Sequence, residues 1–223
     1  MSYGLARAIG MGLLSAALCA GAFGNDSAPV LRYQKDASRH REWMLTPRGV
    51  TVVDTHARTV AHVELPQWVW AGEAHICPPD LALGPKGEAL VTSNVMASLW
   101  RIDPLSLRVT RHDLVVDAHV DKDVGFTGLA YSAALGAFFA ISDFGALWRI
   151  DPLLRRAQEI ALDQPVRRAC SLSVPAPKRQ MRTPRLWALC AHDGIAVWSI
   201  HLAPDQRSGY VARGRLSSCP VAG

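Results

Sequence analysis

The string LWRIDP occurs twice, at 99–104 and 147–152, forty-eight residues apart. Self-similarity at a period of forty to fifty residues restricts a chain to stacked repeat units, because one such unit cannot bury its own apolar faces. The match extends both ways: GEALVTSNVMASLWRIDPLSLRVTRHDL, from Gly87, aligns with LGAFFAISDFGALWRIDPLLRRAQEIAL, from Leu135. Upstream, TPRGVTVVDTHARTVAHVEL (Thr46–Leu65) carries Thr51 at the tryptophan position and Asp54 at the aspartate position. Downstream, LWALCAHDGIAVWSIHL (Leu186–Leu202) puts Trp198 in register and His201 where the others have aspartate. The markers Asp54, Asp103, Asp151 and His201 are spaced 49, 48 and 50 residues.

Each unit divides into four short apolar-rich runs, which in the third copy are FTGLAYS, GAFFAIS, GALWRID and RRAQEIAL. Gly, Pro, Asp and Ser punctuate them, and no long helical stripe intervenes. Four strands per repeat of this length predict an all-β chain, a small β-propeller of about four four-stranded blades. The blades fall at about 28–66, 76–115, 125–163 and 169–216. The segment 217–223 resembles the starts of the inner strands, so either it or a second copy of the chain closes the ring. Trp100, Trp148 and Trp198 then fill the space between blades, with Ile102 and Ile150 on the same face. Asp103-Pro104 and Asp151-Pro152 start the turn into the outer strand, the aspartates accepting from turn amides and the prolines fixing φ.

The first two dozen residues differ from the rest. Arg7 is the only charge before Asp26, and an apolar run from Ala8 to Ala22 ends in small residues, with cleavage expected after Ala22 or Gly24. This is the layout of a secretory signal peptide over 1–24, ahead of a mature domain at 25–223, and it predicts a periplasmic or secreted protein with no membrane span once the leader is removed. The formal charge of +5 falls to +4 without Arg7. The basic residues are scattered along the chain, which argues against nucleic acid as a partner. Outside the leader there are four cysteines, Cys77, Cys170, Cys190 and Cys219, with no C-x-x-C pair. In an exported chain an even number favours disulfides. The ends of one hairpin bring Cys170 towards Cys190, which leaves Cys77 for Cys219.

A propeller presents ligand groups where chain enters the inner strands and leaves the second strands. The entry to the second blade supplies Glu73, His75 and Asp80; the entry to the fourth supplies Arg167 and Arg168. The entry to the third, DAHVDKDVGF, sets Asp117, His119, Asp121 and Asp123 at every second residue. In an extended strand these lie roughly 6.5–7 Å apart on one side. If the loop bends, Asp121 and Asp123 offer oxygens to a Ca²⁺-type cation. The second-strand exits read Ser93-Asn94, Ser142-Asp143 and His192-Asp193. The expected mouth therefore comprises Glu73, His75, Asp117, His119, Arg168, Asp143 and Asp193, and turn duty is the competing role for the exits.

Gly128-Leu129-Ala130-Tyr131, Ser142-Asp143 and Leu147–Asp151 resemble blades of the YVTN/SMP-30-like and SdiA-regulated (phytase-like) propellers, in which a GLAY strand, a strand ending Ser-Asp and an LYRID-like strand follow one another. The resemblance covers the third blade well and the second fairly. For the enzymes of those families it implies a Ca²⁺-type metal in the channel acting on lactones or phosphoesters. The acidic residue that often precedes Gly-Leu in the phytase-like blades is Thr127 here. The sequence therefore predicts an exported module that binds a protein or small-molecule ligand at its channel mouth. The alternative is a metal-dependent hydrolase with Asp121, Asp123, His75 and Glu73 as metal ligands.

Overall fold

The structure, a computed structural model, describes residues 28–72, 77–117, 124–142, 144–164, 166, 169–174, 185–191, 195–204 and 211–219. Side chains from 185 to 197 and from 203 onward, and that of Ala169, lie outside the description. Four antiparallel units follow one another. The first holds β1 (Arg32–Asp36), β2 (Arg41–Thr46), β3 (Gly49–Asp54) and β4 (Thr59–Val63). The second holds β5 (Leu81–Leu83), β6 (Ala89–Thr92), β7 (Ser98–Ile102) and β8 (Val109–Asp113). A short β9 (Val115–Asp117) precedes the third, which holds β10 (Phe126–Ser132), β11 (Ala137–Ser142), β12 (Leu147–Ile150) and β13 (Arg156–Leu162). The fourth holds β14 (Ala169–Ser173), β15 (Arg185–Ala191), β16 (Ile195–Pro204) and β17 (Val211–Cys219). Each unit runs in simple order from inner to outer strand. The chain is a small four-bladed β-propeller.

Alternation along the third strands sorts side chains between neighbouring blades. Trp100 and Ile102 of β7 turn towards the first blade and pack with Trp43, Leu45, Val50 and Val52. Leu99, one residue along, faces the third blade. There Trp148 and Ile150 of β12 meet it together with Leu90, while Leu147 turns away towards Leu172, Ile200 and Leu202 of the fourth. Trp198 packs against that same cluster. Every tryptophan of the repeat is thus wedged against the preceding blade. Thr51 holds the same position in β3. It bonds the His62 imidazole at 3.1 Å and lines an open groove of about 500 Å³.

The repeated aspartates are turn caps. Asp54 accepts from the amides of His56 and Ala57, Asp103 from those of Leu105 and Ser106, and Asp151 from those of Arg155 and Arg156. Each turn ends on a non-glycine residue in the left-handed region: Arg58, Leu107 and Leu154, with φ of 54, 55 and 56°.

Three features depart from the expectations above. The disulfide joins Cys77 to Cys170, with Cα atoms 4.7 Å apart, and not Cys170 to Cys190. In the β14–β15 ladder Cys190 lies opposite Ala169, beside a register shift between Ala169 and Ser171, so Cys170 is not its cross-strand partner. With Cys170 bonded to Cys77, the expected Cys77–Cys219 bond falls as well. Secondly, Ser217–Cys219 complete β17 against Val197–Ser199 of β16, finishing the fourth blade instead of adding a strand to the first. Thirdly, β9 runs parallel to β13 as a fifth strand on the outer edge of the third blade, and β17 also joins β13 in parallel at Ala161–Leu162. Among the described residues no helix is long and apolar enough to cross a membrane.

Candidate functional site

At the middle of the ring one carboxylate gathers the inner strands. Asp80, just ahead of β5, is 3% exposed. It accepts from Arg32 Nε of β1 at 3.0 Å, from the Leu129 amide of β10 at 2.8 Å and from the Leu81 amide at 2.8 Å. Arg32 extends the network by donating to the Cys170 carbonyl of β14. The Asp80 backbone is itself fixed by Thr92, whose hydroxyl receives the Asp80 amide at 2.7 Å. Burial raises the Asp80 carboxyl above its ordinary range, against the opposing pull of Arg32 and the two amides. With the Cys77–Cys170 bond alongside, all four blades are pinned at their centre. Asp80 is a structural bracket, not a group open to a ligand.

The connections into the inner strands and the exits from the second strands share one end of each blade, since successive strands are antiparallel. At that end the described residues form a tightly bonded rim. Asn94 accepts from the Ala71 amide at 2.9 Å and donates to the carbonyls of Ala71 and Cys77 at 2.9 and 3.0 Å. Ser93 donates to the Val69 carbonyl at 2.6 Å, and Trp68 Nε1 donates to the Thr92 carbonyl. On the other side the Phe126 amide donates to the Ser93 carbonyl at 2.7 Å. Gly125 lies so close to Asn94 that a Cβ there would be 2.0 Å from the Asn94 carbonyl oxygen. Ser93-Asn94 therefore does more than cap its own turn: it clamps the connections on both sides.

On this rigid rim several apolar groups stand in solvent. Val69 is 53% exposed, Val95 40% and Phe144 76%. The partly exposed Trp70 stacks on Trp68 with ring centroids 6.0 Å apart. Burial of exposed apolar area is the general source of affinity in binding surfaces, with flanking polar groups adding selectivity. The sequence flags these positions weakly: burial between blades is the favoured reading of Trp68 and Trp70 over a ligand-stacking platform, and Phe144 follows the polar Ser142-Asp143 pair.

Of the expected mouth residues, Asp117 is described. It lies in β9, and its carboxylate receives Arg156 Nε at 3.3 Å. That position is on the outer edge of the third blade, four strands from its inner strand. Glu73, His75, His119, Asp121, Asp123, Asp143, Arg168 and Asp193 lie outside the described residues, as do the side chains of Cys190 and Cys219. Among the described residues no three His, Cys, Asp or Glu side chains are grouped to hold a metal.

No family model matches the sequence, and no curated protein is similar to it by sequence. Similar solved structures are found. An auxiliary nutrient binding protein from Bacteroides thetaiotaomicron superposes with a TM-score of 0.56 at 9% identity, covering 88% of this chain and 44% of its own. The major allergen Mala s 1 of Malassezia sympodialis gives 0.49 at 8% identity, covering 85% and 78%. YCF48 bound to D1 peptide gives 0.46 at 14% identity, covering 75% and 48%. This chain thus spans less than half of the nutrient binding protein. At 9% identity what the nutrient binding protein shares with this chain is the fold.

Proposed function

We propose that this chain is an exported propeller that binds a protein or small-molecule ligand at the rim where its inner strands begin. One observation carries the reading: Val69, Trp70, Val95 and Phe144 are presented to solvent on a rim held rigid by Asn94 and Ser93. A preorganised apolar surface loses little ordering entropy on binding. By sequence, Glu73, His75, Asp143, Arg168 and Asp193 belong to connections between strands, and they are the polar complement this reading expects. The use of a similar fold in a protein described as nutrient binding supports this reading, and the Cys77–Cys170 bond suits an oxidising compartment.

The test is to probe glycan and peptide panels with the purified chain and with two variants. Phe144→Ser removes the most exposed rim group, whereas Leu105→Ser alters an 81% exposed leucine in a turn at the opposite end of the second blade. The reading requires a ligand whose binding falls with Phe144→Ser and survives Leu105→Ser. Equal loss in both variants, or binding indifferent to the rim, overturns it. Fractionation of cells making the full chain checks export, with mature protein starting near Asn25 as the expected result.

A further inference from the structure

The other end of the blades holds a second cleft, between the second and third blades, with a volume of about 250 Å³. Its walls carry Lys86, Glu88, Arg101, Tyr131, Phe138 and Leu154. Glu88 is 7% exposed, and the one hydrogen bond to its carboxylate among the described residues is from the Lys86 amide to Oε2, at 2.9 Å. No cation pairs with it there. The Arg101 guanidinium, on the face of β7 that looks towards the third blade, makes no side-chain hydrogen bond or close ion pair among the described residues, and its charge acts at longer range on Asp103 and His112. Its twin in the third blade, Arg149, does have an interaction partner. Tyr131 and Phe138 form a tilted ring pair with centroids 5.0 Å apart, and the Tyr131 hydroxyl has no hydrogen-bond partner among the described residues.

A buried carboxylate and a guanidinium that face one cavity without touching each other are a costly arrangement in an empty site. A ligand carrying both charges bridges them. We propose that this cleft binds a small zwitterion of the α-amino-acid kind with an aromatic or apolar side chain. Its carboxylate meets Arg101, with Lys86 adding positive potential. Its ammonium meets Glu88, and its side chain rests on Tyr131, Phe138 and Leu154. The volume holds one such molecule and excludes a folded partner. This site is separate from the rim and stands whether or not the rim binds anything.

The experiment is titration of the full chain, by calorimetry and by NMR, with L-phenylalanine, 3-phenylpropionate (no ammonium) and phenethylamine (no carboxylate). The zwitterion is expected to bind about tenfold or more tightly than either fragment. Arg101→Gln should weaken it by about tenfold or more, with Arg101→Lys recovering part of the loss. Glu88→Gln should abolish the preference for phenylalanine over 3-phenylpropionate. Melting curves establish that each variant is folded, and if Arg101→Gln is not, Arg101→Lys and Glu88→Gln carry the comparison. No saturable response to any of the three compounds up to about 10 mM overturns the proposal, since weaker binding falls below about 3 kcal/mol. So does affinity unchanged in folded Arg101 and Glu88 variants.

Discussion

The two tryptophans of the repeated LWRIDP are identical in sequence yet differ in one bond, and that difference predicts unequal responses to the same substitution. Trp100 and Trp148 are both fully buried between blades. Trp100 Nε1 donates to the Pro66 carbonyl at 2.8 Å, whereas Trp148 Nε1 is buried with no hydrogen-bond partner among the described residues. Replacing either ring by phenylalanine removes apolar volume from a close-packed interface, at a cost of about 1–2 kcal/mol. Trp100→Phe additionally loses a hydrogen bond, worth about 1 kcal/mol. Trp148→Phe removes an unpaired buried donor whose desolvation costs about 1–3 kcal/mol, so its net loss is close to zero or becomes a small gain. The pair should differ by about 2–4 kcal/mol, at about 2–4 °C in Tm per kcal/mol for a chain of this size. Thermal and urea unfolding of the disulfide-intact proteins, followed by circular dichroism, measure this. Equal losses, or a larger loss for Trp148→Phe, would refute the assignment of the two indoles.

Other consequences follow from the bracket, the turns and the rim. Asp80→Ala strands the Arg32 guanidinium and the Leu129 amide, and should cost about 3–5 kcal/mol in urea unfolding; Asp80→Asn, which keeps an acceptor and the shape, should cost less. The amide and hydroxyl of Ser106, with the Leu105 amide, hold the Asp103 carboxyl below its ordinary range. A lowered folded pKa gives stability that is fully present above the unfolded value near 3.9 and lost as pH falls through the folded one. Asp103→Asn should therefore be less stable than the parent at pH 7, with the gap closing as the pH falls below about 4; a gap constant with pH contradicts it. Gly145 has φ +82°, and a Cβ there would fall 1.4 Å from the Val166 carbonyl oxygen. Gly145→Ala should shift this part of the rim and lower Tm, seen as amide shifts around 142–146 in NMR spectra.

The architecture was legible because blade packing imposes a period. A tryptophan recurring on the third strand and an aspartate three residues later record one interface and one turn, repeated. The turn closures were less visible: Leu107 and Leu154 adopt a left-handed conformation usually left to glycine, so nothing in their identity announces it. Asp80 read as one more carboxylate on an entry loop. Only the three-dimensional meeting of β1, β5 and β10 shows that it is consumed by Arg32 and two amides. The disulfide escaped for a related reason, since hairpin neighbours can be inferred from one repeat, whereas the proximity of Cys77 and Cys170, 93 residues apart, depends on how the inner strands converge. Asp117 was placed at the mouth because the chain was expected to run directly inward; instead β9 first pairs along the outer edge of the third blade.

The convergence of the four inner strands on one centre is most directly tested by mapping the disulfides of the purified, unreduced chain by mass spectrometry after proteolysis. The account predicts a crosslinked peptide pair containing Cys77 and Cys170, tying the entry of the second blade to the inner strand of the fourth. Recovery of Cys170 joined to Cys190 would confine the bond to one hairpin and contradict the central bracket.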